Sequence, residues 1–214
     1  MQKKMIKTII VDDHTMVRAG LTKILKEESD IEVLAEADGY IQLVQCLKDV
    51  EPDIVLMDIS MPGKNGLEIV KELRQTNPTI KTLILSMHPE ERFSVRAIKA
   101  GALGYVSKES AADELVRAIR QVYNGGKYIT PIVAEKLADS YELESNKLAH
   151  ERLSDREFQI LSMIASGKKV KEIASELSIS PATVATYRAR VLEKMQLKSS
   201  VEITSYALRN NLIE

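Results

Sequence analysis

Apolar residues recur along this chain at two alternating spacings, and their order predicts an architecture. Met5 to Val11 is a mostly apolar run that Lys7 interrupts and Asp12-Asp13 stops. A short run of this kind, ended by polar residues, reads as a strand. From His14 the period lengthens, and Val17, Leu21, Ile24 and Leu25 fall on one helical face. Ile31 to Ala37 returns to strand character, and Tyr40 to Lys48 reads as a helix burying Leu43 and Leu47. Ile54 to Met57 is uninterrupted apolar sequence that ends at Asp58 and the turn residues Ser60-Met61-Pro62-Gly63. Such a run suits a strand buried on both faces of a parallel sheet. Leu67, Ile69, Val70 and Leu73 predict the next helix, and Thr82 to Ser86 the next strand. Phe93, Val95, Ala97 and Ile98 then mark a helix terminated by Gly101, and Gly104 to Ser107 a short strand. Leu115, Val116, Ile119 and Val122 face inward on a helix that ends at Gly125-Gly126. Strands alternating with helices in this way predict an α/β domain with a five-stranded parallel sheet.

Polar punctuation falls at the same end of four of these strands: Asp12 and Asp13, Asp58, Ser86, Lys108. In a parallel sheet the carboxyl ends share one edge, where open α/β sheets place their ligands. Asp58 taken alone reads equally as a site residue or as the cap of a loop. Its coincidence with the other three strand ends favours the site.

A different pattern follows. Thr130-Pro131 reads as an N-cap and a helix-starting proline ahead of a helix over Ile132 to Tyr141. Ser154-Asp155-Arg156-Glu157 is a capping box, with Leu153 and Phe158 placed to staple it. Ile160, Leu161, Ile164 and Ala165 continue that helix to Gly167. Val170 to Leu177 predicts a short second helix, and Ser178-Ile179-Ser180 a turn. A third helix runs from Pro181 to about Met195, and a fourth lies near Ser199 to Asn210. The expected organisation is an α/β domain over residues 1–126, a partly helical linker over 127–151 and an all-α four-helix module over 152–214.

Composition adds little until it is divided along the chain. The totals, 30 basic against 31 acidic residues, point to no particular partner. From Glu151 to Glu214 there are 10 basic against 8 acidic residues, with Lys168, Lys169, Lys171, Arg188, Arg190, Lys194 and Lys198 among them. That modest excess suits either a solvated face or a nucleic-acid surface. Cys46 is the one cysteine, which excludes an intramolecular disulfide and points to a reducing compartment. No run approaches the ~20 apolar residues of a membrane span. Lys7 breaks the early apolar stretch, so a signal peptide is not expected either. A soluble, cytoplasmic protein with no membrane partner is the expectation.

Carboxylates gathered at one edge repel, by about 4 kcal/mol per pair at ~4 Å and an effective dielectric of ~20. A divalent cation relieves that repulsion, and oxygen ligands with an open side suit Mg²⁺. His14 reads as a helix-start or outer-sphere residue, and His88 and His150 as loop or surface residues, so a transition-metal site is not expected. A carboxylate beside Mg²⁺ and an ammonium can attack a phosphoryl group, with Lys108 and Ser86 meeting its oxygens. The plainer readings are that Lys108 only pairs with the acids and that Ser86 caps the next helix.

Ile10-Val11-Asp12-Asp13-His14, Val55-Leu56-Met57-Asp58, Ser86 and Gly104-Tyr105-Val106-Ser107-Lys108 resemble the receiver domain of bacterial response regulators. The stretch from Leu153-Ser154-Asp155-Arg156-Glu157 to Leu197 resembles a LuxR-type helix-turn-helix domain. Together they resemble the NarL/FixJ family of two-component transcription regulators. The resemblance implies a flavodoxin-like, doubly wound receiver with Asp58 as phosphoacceptor. It implies Mg²⁺ held by Asp12, Asp13, Asp58 and the Ser60 carbonyl, with Lys108 on the phosphoryl group and Ser86 and Tyr105 as a switch pair. The phosphoryl group would come from the phosphohistidine of a sensor histidine kinase. The Pro181 helix would enter the major groove of double-stranded DNA, through Thr183, Ala185, Thr186, Arg188, Ala189, Arg190, Lys194 and Lys198, with Lys168 nearby. Alanine at 185 and 189 departs from the basic residues common there, and contact with thymine methyls would replace them. Val201, Ser205 and Leu208 would form a dimerisation face used on phosphorylation. Met87, following Ser86, would narrow access to the pocket.

Three functions compete on this reading. The first is a phosphorylation-gated DNA-binding regulator, which assists its own phosphorylation and dephosphorylation but is not a turnover enzyme. The second is an aspartyl-phosphate phosphatase, disfavoured because Ser60 stands where a second acid would be needed. The third is a regulator that acts without phosphorylation or through protein or RNA contacts.

Overall fold

The computed structural model describes residues 5–87, 90–110, 112–142 and 148–213, without side chains at 90–92 and 139–142. Two compact units divide the chain, Met1–Glu135 and Lys136–Glu214.

The first unit is built on strands β1 (Ile6–Val11), β2 (Ile31–Ala37), β3 (Ile54–Asp58), β4 (Lys81–Ser86) and β5 (Gly104–Ser107). Helices α1 (Thr15–Lys26), α2 (Tyr40–Asp49), α3 (Gly66–Thr76), α4 (Glu90–Ala100) and α5 (Ala112–Tyr123) alternate with them. The sheet is parallel throughout, in the order β2-β1-β3-β4-β5. This is the doubly wound arrangement expected from the sequence. The order reverses between β1 and β3, the switch point at which open α/β sheets place their ligands. Every residue of β3 is buried, which explains its unbroken apolar sequence. Ile10, Ile54, Leu56 and Leu83 pack with Leu115, Ile119 and Val122 of α5 in one continuous core. Leu43 is buried beneath α2 as predicted, whereas Leu47 and Cys46 are only half-buried. Arg120 of α5 ties the unit's far edge together by pairing with Glu28 and Asp30, each at 2.6 Å. His88 lies outside the described residues.

Helix α6 (Pro131–Glu142) spans the boundary between the units. The second unit contains a 3-10 turn at Ala149–Arg152 and helices α7 (Asp155–Ala165), α8 (Val170–Glu176), α9 (Pro181–Met195) and α10 (Ser200–Arg209). The predicted capping box forms: Ser154 accepts from the Glu157 amide, and Glu157 accepts from the Ser154 amide. Ser180 likewise caps α9, with Pro181 in the first turn. Val184 and Val191 of α9 and Ile203 and Ala207 of α10 are buried with Phe158 and Leu161 of α7. Ser178, in the turn between α8 and α9, takes the left-handed conformation at φ 48°.

Candidate functional site

Sheet geometry puts the predicted polar residues in one place. Val11 pairs with Met57, so Asp12 and Asp58 leave neighbouring strands side by side. Asp58 in turn pairs with Leu85, the residue before Ser86, and Ser86 pairs with Ser107, the residue before Lys108. The Lys108 amide donates to the Ser86 carbonyl at 2.9 Å, which anchors the lysine at the pocket edge. Its Nζ lies 2.6 Å from Asp12 Oδ2 and 3.0 Å from Asp58 Oδ1, and all three side chains are almost wholly buried. Burial pushes the Asp58 carboxyl up to about 6, with Lys108 opposing the rise and Asp12 adding to it.

The acids are also held by backbone. Asp58 Oδ1 accepts from the Ile59 amide at 2.8 Å. Asp12 Oδ1 accepts from the His14 amide at 2.8 Å, which joins the pocket to the first turn of α1. Asp12, Asp13, His14 and Asp58 each bring one ligand atom within 4.8 Å of the others. When ionised, the three carboxylates outnumber the one ammonium by two charges, the deficit that one divalent cation fills. Asp13 Oδ1 is buried and lies 2.9 Å from His14 Nδ1. The donor set therefore fits a hard divalent ion. Ser60 stands two residues beyond Asp58 in the β3–α3 loop, half-buried. Ser86 and Tyr105 are fully buried, so the tyrosine ring is turned inward.

One pocket residue escaped the sequence reading. A Cβ on Gly66, the first residue of α3, would lie 1.9 Å from the Asp58 carbonyl oxygen. The helix thus rests directly on the backbone of Asp58, and Asn65 caps it there by accepting from the Leu67 amide at 2.8 Å. The local signal was Asn-Gly ahead of a helical pattern, which reads equally as a turn. Lys64 in the same loop lies over the Tyr40 ring and pairs with Glu72, which also accepts from the Tyr40 hydroxyl.

In the second unit, α8, a tight turn and α9 form a helix-turn-helix. Ala185, Thr186, Ala189 and Arg190 are exposed on α9, and Thr183 is half-exposed near its capped end. Arg190 lies over the Tyr187 ring, 5.8 Å from its centroid. Other predicted contact residues already have partners within the unit. Lys194 donates to the buried Glu157 carboxylate at 2.7 Å, Arg188 to Ser200 at 2.9 Å, and Lys168 pairs with Glu176. Lys198 is exposed just beyond the helix. On α10, Val201, Ser205 and Leu208 share one exposed face, while Ile203 and Ala207 fill the core. Among the described residues, no helix is long and apolar enough to cross a membrane.

Comparison with known proteins agrees with both halves. Residues 8–120 match the response regulator receiver domain, and residues 151–207 match the luxR family of bacterial regulatory proteins. The chain is similar to the response regulator GacA of Pseudomonas aeruginosa, 39% identical over 211 residues that cover 98% of this chain and 99% of that one. It is 40% identical to the response regulator UvrY of Escherichia coli over 209 residues, 97% of this chain and 96% of that one. Among solved structures, RcsB of Salmonella enterica serovar Typhimurium, bound to a promoter with a phosphomimetic present, shares the fold. It superposes with a TM-score of 0.64 at 22% identity, covering 95% of this chain and 98% of that one.

Proposed function

Because the chain belongs to the response regulators that join a receiver domain to a LuxR-type DNA-binding domain, we propose that Asp58 is its phosphoacceptor and that phosphorylation there controls dimerisation and DNA binding. The observation that carries this reading is the buried Asp58 carboxylate held beside Asp12 by a shared Lys108. The same reading places the receiver at 1–126, a linker at 127–151 and the DNA-binding domain at 152–214.

Asp58 attacks the phosphorus of a phosphohistidine on a sensor kinase. The new O–P bond forms as the P–N bond breaks, and the imidazole leaves with the electron pair. Lys108 stands ready to pair with the transferred phosphoryl oxygens, and releases Asp12 and Asp58 as it does so. Asp12, Asp13, Asp58 and the Ser60 carbonyl would hold a divalent cation such as Mg²⁺, which neutralises charge on the phosphoryl group when bound. Ser86 donates to a phosphoryl oxygen, and the inward Tyr105 ring occupies the space behind it. The phosphoryl group thereby favours one of two packings of the β4–β5 edge, a population shift rather than a new fold. The chain assists its own phosphoryl chemistry without turning over a separate substrate.

In the DNA-binding domain, Ala185, Thr186, Ala189 and Arg190 face base edges in the major groove, and Thr183 lies at the entering end of α9. Lys168, Arg188, Lys194 and Lys198 serve phosphates; three of them must share or leave an internal partner to do so. Val201, Ser205 and Leu208 pair two copies on adjacent half-sites. The setting is cytoplasmic.

A small-molecule phosphodonor tests the first step. Intact-mass measurement is expected to show one added phosphoryl group on the wild-type chain and none on Asp58→Asn. Equal labelling of both would remove Asp58 from its role.

A further inference from the structure

Arg18, near the start of α1, is a cation at the end of a helix that disfavours one, and no acid in the first turn offsets it. Its side chain is nevertheless only 14% exposed. The guanidinium folds back onto the turn between β1 and α1. Nη1 donates to the Asp12 backbone carbonyl at 2.6 Å, and Nη2 to Thr15 Oγ1 at 3.3 Å. Nε lies 3.4 Å from Glu36 Oε2 on β2, and Thr22 donates to the other oxygen of that carboxylate at 2.8 Å. Asp12 is thereby held at each of its polar atoms. Its amide donates to the Ala37 carbonyl, Oδ1 accepts from the His14 amide, Oδ2 meets Lys108, and its carbonyl accepts from Arg18. The last of these bears on Asp13. The Asp12 carbonyl belongs to the planar peptide that leads into Asp13, so fixing it fixes the direction in which the Asp13 side chain leaves the backbone.

We propose that Arg18 is a positioning residue of the receiver's cation site, its bond to the Asp12 carbonyl aiming the Asp13 carboxylate at the ion. This rests on reading Asp12, Asp13 and Asp58 as the cation site, and names a residue that sets the affinity of that site. The effect is one of geometry rather than charge. A guanidinium acting through its charge would repel a divalent ion, and Glu36 beside it offsets that charge. The two roles differ in sign: removing a repelling charge tightens cation binding, whereas removing a positioning bond weakens it. Lysine keeps the charge but lacks the fork that reaches Asp12, Thr15 and Glu36 together.

The test titrates the full-length chain with Mn²⁺, followed by electron paramagnetic resonance of the free ion, and with Mg²⁺ by competition, well below the melting temperature of each variant. Arg18→Met is expected to bind both ions about tenfold more weakly, the lower end of what an outer-sphere partner contributes. Arg18→Lys should fall between Arg18→Met and wild type. Thr22→Val removes the other donor to Glu36 and leaves Asp12 untouched, so it should lose stability yet match wild type in affinity. Unchanged or tighter binding by Arg18→Met would overturn the proposal while leaving the cation site standing. Wild-type affinity in Arg18→Lys, or an equal loss in Thr22→Val, would do the same. Cation binding that Asp13→Asn leaves unchanged would overturn the cation site itself.

Discussion

Burial that pushes the Asp58 carboxyl up to about 6 from an ordinary 3.8 makes the folded chain hold its proton more tightly than the unfolded one. The sign follows from linkage. Protonation of Asp58 favours folding fully below the unfolded value, and this contribution disappears as pH rises through the folded value. The difference between the two limits is about 3 kcal/mol at most, and the chain with Asp58 ionised is the less stable one. Asp58→Asn should therefore stabilise the chain in chelating buffer at pH 8, and much less at pH 4.5. Urea denaturation of both proteins at the two pH values measures this, and a pH-independent gap would contradict it. Gly66 is the second test at this scale. Gly66→Ala places a methyl against the Asp58 carbonyl and should cost about 1–3 kcal/mol of stability by overpacking. Denaturation measures that cost, and slower phosphorylation by the same donor would show the displacement of Asp58. Asp12, Asp58 and Lys108 were legible because a parallel sheet gathers strand ends. The Gly66 contact was harder to read, since it depends on where α3 lands against the end of β3.

Among the elements, α9 combines two tasks that the sequence does not separate. Lys194 reads as one more basic residue beside the DNA helix, yet it lies 2.7 Å from a Glu157 carboxylate 37 positions away. Burial would raise the Glu157 carboxyl, but Lys194 and the Ser154 amide hold it below its ordinary range. A carboxylate held low contributes stability at neutral pH and loses it as the group takes up a proton in acid. Lys194→Met should accordingly lower stability by about 1–3 kcal/mol, because it leaves a buried charge with one partner fewer. Adding Glu157→Gln should recover part of the loss, and thermal melts of the single and double variants check both. Ser178 offers the opposite case. Its φ of 48° is one that glycine adopts freely, so Ser178→Gly should raise stability or leave it unchanged. The helices themselves were plain from caps and periodicity, as at Ser154, Ser180 and Pro181. The pairing of Lys194 was not, because no local pattern records a contact between helices so far apart in sequence.

At the scale of the whole molecule, the proposed function couples a receiver pocket to a DNA-reading helix through the pairing of two copies. Leu208→Glu puts a charge on the exposed face of α10, away from Ile203 and Ala207 in the core. It should abolish dimerisation and specific DNA binding while leaving phosphoryl incorporation at Asp58 intact. Binding that remains should fall steeply with salt, since phosphate contacts dominate it. The most direct test of the central claim is solution mass by light scattering in Mg²⁺, with and without beryllofluoride, for wild type beside Asp58→Asn. The account predicts a monomer-to-dimer shift in wild type alone. No shift in either protein, or the same shift in both, would contradict the claim that Asp58 controls assembly.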